Sequence, residues 1–85
     1  MQLNLDELTP TVHRLKRAEG QLAAVVRMLE EGRDCKDVVT QLAAVSKALD
    51  RAGFAIIASG LEQCLKDPEE SLDRKDMEKM FLSLA

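Results

Sequence analysis

Cys35, Cys64 and His13 are the thiol and imidazole side chains that could bind a soft metal ion or act as nucleophiles near neutral pH. Two cysteines and one histidine cannot furnish a four-ligand zinc site with the usual Cys/His spacings. Cys35 follows Gly32-Arg33-Asp34, the punctuation of a helix start. The free N–H groups and the dipole of a helix N-terminus favour an anion there, which makes Cys35 the reactive thiol. Cys64 lies 29 residues on, near the other end of the same expected helix. At 1.5 Å per residue the two are roughly 43 Å apart, so they cannot meet within one chain. If two such helices pack antiparallel about a two-fold axis near Leu49 and Asp50, each Cys35 falls beside Cys64 of the partner subunit. The competing account makes both cysteines small buried hydrophobes, the commoner fate of a cytosolic thiol. Helix length, packing demand and thiol placement together favour the paired site. His13 has no second histidine and no nearby cysteine to work with, and reads as part of the basic face beside it.

That basic face is the second constellation. Arg14, Lys16 and Arg17 cluster in sequence, and Arg14, Arg17 and Gln21 share one helical face. Lys47 and Arg51 sit four apart on the next expected helix. In a chain of net charge −3 a solvated surface is the default explanation. An oligomer, however, would repeat the face and present several cations to phosphates although each chain is acidic overall. The negative charge is concentrated elsewhere: from Asp67 to Ala85, three basic residues stand against six acidic ones. With no Trp or Tyr and only Phe54 and Phe81, recognition by stacked aromatics is excluded as a main mode.

Helices must position these residues. Eighty-five residues, 46% apolar and 32% charged, make one small domain with no run of apolar residues long enough to span a membrane. The N-terminal residues lack a basic region and an apolar stretch, so no signal peptide is expected and the thiols belong to a reducing cytoplasm. A chain this short needs a staple, and with neither a disulfide framework nor zinc that staple is self-association. Helical periodicity, broken at Gly32 and Pro68, predicts helices over about 5–31, 35–65 and 69–84. In the first, Leu8, Val12, Leu15, Leu22, Val26 and Leu29 form the apolar stripe, with Thr9 as cap and Pro10 in the first turn. Gly32 takes the left-handed conformation after it, and Asp34 caps the second. The second carries Val38, Val39, Leu42, Leu49, Ile56, Ile57 and Leu61, interleaved with small residues that let neighbouring helices approach on more than one side. Asp67-Pro68-Glu69-Glu70 is a start signal for the third, whose apolar face is Leu72, Met77, Met80, Phe81 and Leu84.

Three segments make the chain recognisable: His13 to Leu22 (HRLKRAEGQL), Arg33 to Val45 (RDCKDVVTQLAAV) and Ser59 to Cys64 (SGLEQC). Over nearly its whole length the sequence resembles the copper-sensing repressor (CsoR/RcnR/FrmR) family. The resemblance implies an all-α homotetramer, a dimer of dimers, with helices 1 and 2 in an antiparallel four-helix dimer core and helix 3 joining the assembly. It implies a bacterial repressor, not an enzyme, that releases operator DNA when an inducer reacts or binds at the dimer interface. No helix-turn-helix, no membrane and no cofactor belongs to that picture. Arg14 and Arg51 match basic positions implicated in DNA binding in such proteins, and Arg17 and Gln21 lie in the same stretch.

The metal-sensing members resemble one another in a Cys at the start of helix 2 and, from the neighbouring subunit, a His followed four residues later by Cys or His. Here those positions are Cys35, Gly60 and Cys64. Glycine offers no ligand, so the two-sulfur, one-nitrogen site for Cu(I) is not completed and no metal site is expected. Two cysteines without the histidine resemble the persulfide-sensing, CstR-like branch, in which Cys35 and Cys64 would be the sensing pair and sulfane sulfur the inducer. Formaldehyde-sensing relatives depend on an N-terminal proline amine, and residue 2 here is Gln2. The expected function is a persulfide-responsive repressor. Its rivals are a Cu(I)-responsive repressor using the two thiolates alone, a thiol enzyme with Cys35 as nucleophile but no general base beside it, and a purely structural helical module.

Overall fold

The structure, a computed structural model, describes residues 2–66 and 74–84. It contains three helices, α1 (Thr9–Glu30), α2 (Cys35–Lys66) and α3 (Arg74–Leu84), and no strand among the described residues. The all-α class is the one expected. The start signal from Asp67 to Glu70, and Leu72 with it, lie outside the described residues.

Residues 5–8 form a turn, and α1 begins only at Thr9. Thr9 was expected to cap the helix. It is instead the first helical residue, its hydroxyl donating to the Leu5 carbonyl at 3.2 Å, while Leu8 occupies the cap position without a side-chain hydrogen bond. Pro10 needs no partner for a missing N–H in that first turn, so the helix starts without a polar cap. The other end of α1 closes as its sequence requires. Gly32 has φ +70°, its N–H donates to Leu29 O at 3.2 Å, and the Arg33 N–H donates to Met28 O at 2.9 Å. This pair of bonds satisfies the last carbonyls of α1 and needs a residue without a Cβ penalty in the left-handed region. Gly32→Ala should therefore cost about 1–2 kcal/mol and lower the thermal midpoint by roughly 5–10 °C, read from a circular-dichroism melt. Two residues later Asp34 accepts from the Lys36 N–H at 3.1 Å and starts α2.

Helices α1 and α2 form an antiparallel hairpin whose buried seam repeats every seven residues. Thr11, Ala18 and Val25 of α1 meet Val38, Val45, Ala52 and Ser59 of α2. Val25, Val38 and Val45, with Met28 against them, make the largest apolar cluster. Alanines at the middle of the seam let the two backbones approach closely.

The expected stripes are corrected in part. Leu8 and Val38 are buried, but Val12, Leu22, Val26 and Leu29 of α1 and Val39, Leu42, Leu49 and Leu61 of α2 are exposed, Leu29 by 64%. These residues lie beside the seam and not in it, and one hairpin cannot cover two faces. The principal extents, 52 × 25 × 14 Å, give the reason. A body little thicker than one helix of about 10–12 Å has no enclosed interior.

Helix α3 packs on the later half of α2. Met77 is buried, and the Phe54 and Phe81 rings lie 5.2 Å apart at 44°. Leu84 sits directly over Gly53, where a Cβ would come within 2.7 Å of its Cδ1. No described helix is long and apolar enough to cross a membrane.

Candidate functional site

The two cysteines fall where their spacing implied. Cys35 is the first residue of α2, exposed and unpaired with any described residue, and Cys64 lies in the last turn of the same 32-residue helix. A continuous helix holds them at opposite ends, so no bridge can form within one chain. Gly60, one turn before Cys64, is buried and contributes no donor atom. Among the described residues of one chain no three His, Cys, Asp or Glu side chains converge as a metal site would require. His13 is exposed on α1.

Sequence reading gave no notice of what surrounds the Cys64 end of α2. The Gln63 side-chain amide clamps the N-terminal segment: its Nε2 donates to the Gln2 carbonyl at 2.8 Å, and its Oε1 accepts from the Asn4 N–H at 3.2 Å. One turn earlier the buried Ser59 hydroxyl donates to Glu7 Oε2 at 3.4 Å. Residues 2–7 are thereby fastened along the last turns of α2. A glutamine next to Cys64 carries no sequence signal for such a clamp, since its partners are backbone groups about sixty positions away.

The basic residues converge. Arg14, Arg17 and Gln21 of α1 and Lys47 and Arg51 of α2 line one open groove of about 350 Å³, with Ala44 and Ala48 completing its lining. Periodicity places each set on one face of its helix, and the antiparallel turn brings those faces together. As α1 runs from Arg14 to Gln21, α2 runs from Arg51 back to Ala44. All four cations are exposed or stand at the rim, and none is ion-paired with another described residue. Lys47 was noted in the sequence only for its spacing from Arg51. That i, i+4 spacing was the signal that it shares Arg51's face. Such a groove can accept an extended anion through Coulomb attraction and charge-assisted hydrogen bonds.

Comparison with known proteins agrees with this architecture. Residues 8–84 match the family model described as a metal-sensitive transcriptional repressor. The chain is 41% identical over 58 residues to an uncharacterized protein, YrkD, of Bacillus subtilis, covering 67% of this chain and 92% of that protein. It is 41% identical over 59 residues to the copper-sensing transcriptional repressor CsoR of Mycobacterium ulcerans, covering 69% of this chain and 50% of that one. It is 40% identical over 52 residues to the copper-sensing transcriptional repressor RicR of Mycobacterium tuberculosis, covering 61% and 54%. The chain thus spans about half the length of the copper-sensing relatives it matches. With a family match that runs almost from end to end, on a fold of three helices whose first two form an antiparallel pair, the chain belongs to the metal-sensitive transcriptional repressors, which are not enzymes.

Proposed function

We propose that the protein is a cytoplasmic, sulfane-sulfur-responsive repressor that releases operator DNA when Cys35 of one subunit becomes bridged to Cys64 of the partner subunit. The observation that carries this reading is Gly60: both thiols of the sensing pattern are present, and the position that supplies nitrogen in metal-sensing members has no side chain. The Cys35 thiolate attacks the sulfane sulfur of a hydropersulfide, R–S–SH, forming Cys35–S–SH and releasing R–S⁻. The partner's Cys64 thiolate then attacks the inner sulfur, forming the disulfide and expelling HS⁻. If Cys35 takes up one further sulfur before this step the bridge is a trisulfide, and two further sulfurs make it a tetrasulfide.

Bridging across subunits requires an oligomer, which we take to be a homotetramer built as a dimer of dimers. The exposed row of Leu22, Val26, Leu29, Val39, Leu42 and Leu49 supports it, because water-facing apolar residues at this density are unusual for a chain that works alone. The groove of Arg14, Arg17, Gln21 and Arg51 is the DNA-binding surface of this reading, and bridging would alter how neighbouring copies of it are presented.

The copper-sensing names of two relatives favour a second reading, a Cu(I)-responsive repressor in which two thiolates hold the ion linearly. Intact mass and a gel-shift with DNA from upstream of the gene separate the two. Sulfane sulfur should give covalent dimers with mass added in whole sulfur steps, together with release of DNA. Release by stoichiometric Cu(I), with no response to sulfane sulfur, would replace the first reading by the second.

A further inference from the structure

We infer that Lys47 is a DNA-phosphate ligand, the fourth cation of a groove that grips one strand of a duplex, and that the small side chains of Ala44 and Ala48 in its lining leave room for the sugar-phosphate backbone. This rests on the repressor reading for the identity of the anion. Lys47 lines the same groove as Arg14, Arg17 and Arg51, although it belongs to a different helix from the first two. None of the four is ion-paired with a carboxylate among the described residues, which leaves them available to an external anion. The antiparallel order sets cations of α1 opposite cations of α2, a mutual repulsion that a polyanion between them relieves.

Dimensions point to a backbone. From Arg14 to Gln21 the groove follows seven residues of helix, about 10 Å, long enough to meet more than one phosphate of a strand. Beside the four cations the lining is completed by the methyl groups of Ala44 and Ala48, which take up little of the space a chain of phosphates and sugars would need. Gln21 ends the row as a neutral amide that can donate to a phosphate oxygen. An ammonium on a flexible stem binds a phosphate as a point charge.

The test is fluorescence anisotropy of the full chain on two duplexes, one of random sequence and one from upstream of the gene, across a range of salt concentrations. Lys47→Gln should weaken both by the same factor and reduce the salt slope by about 0.9 for each groove engaged. Lys47→Arg should preserve slope and affinity. Ala48→Leu keeps every charge but narrows the groove, and should weaken both duplexes with helicity unchanged. Should Lys47→Gln leave slope and affinity untouched while Arg14→Ala weakens binding, the assignment of Lys47 falls and the repressor reading stands. A reduced slope in Lys47→Gln, with no preference for upstream DNA in the wild type, keeps the phosphate assignment and removes the repressor reading. An unchanged slope with a changed oligomer mass in Lys47→Gln would give the groove to an acidic segment of a second copy and overturn the proposal. A wild type that binds neither duplex overturns both.

Discussion

Cys35→Ala should abolish the response to sulfane sulfur: no sulfur added in the intact mass, no covalent dimer on a non-reducing gel, and DNA retained at donor concentrations that release it from the wild type. The expected loss is complete because the first step needs an exposed nucleophile. Cys35 is the exposed first residue of α2, where backbone N–H groups have no helical partner. Cys64 lies at the opposite end of that helix. Cys64→Ala should accordingly keep the first step and lose the second, accumulating a persulfide on Cys35 without any bridge between subunits. If Cys64→Ala failed to take up sulfur while Cys35→Ala still did, the order of attack would be reversed. Since the two thiols of a chain are held apart by one rigid helix, every bridge should join two subunits, and tryptic peptides from the bridged species should pair only across chains in a mixed-isotope dimer.

Arg14→Ala and Arg51→Ala should each weaken DNA binding ten- to a hundredfold and together nearly abolish it. A charge-assisted hydrogen bond to a phosphate contributes about 1.5–3 kcal/mol, and every 1.4 kcal/mol is about a factor of ten in affinity. Both side chains line one groove, so their losses should couple and not simply add. Neither is buried, which means helicity and oligomer mass should stay at wild-type values. The measurement is a salt titration of binding for each variant. Unchanged affinity in Arg14→Ala and Arg51→Ala would place the DNA surface on another face of the protein. Wild-type binding should itself fall steeply with salt, because no aromatic platform exists to hold bases by stacking.

Several features of this protein are local and could be read directly from residue order. Gly32 after Glu30-Glu31, and Asp34 before Cys35, place the turn between α1 and α2 and the start of α2, because a left-handed glycine and a side-chain cap are requirements of the residues themselves. The 29-residue interval between the cysteines, once both stand on one helix, already forbids a bridge within the chain. The absence of a nitrogen ligand at Gly60 is likewise a statement of sequence. The choice of inner face was not legible. Leu22, Val26 and Leu29 carry more apolar surface than Thr11 and Ala18, so hydropathy alone favours the larger residues as the core. The hairpin instead buries the smaller ones, because close approach of α1 and α2 along a seven-residue repeat needs narrow side chains between the backbones, and the larger residues remain outside. Nor could residue order bring Lys47 to Arg17 or fasten Gln63 to Gln2 and Asn4. Those meetings join positions about thirty and about sixty residues apart, and only the antiparallel closure of the hairpin sets which turn of α1 lies against which turn of α2.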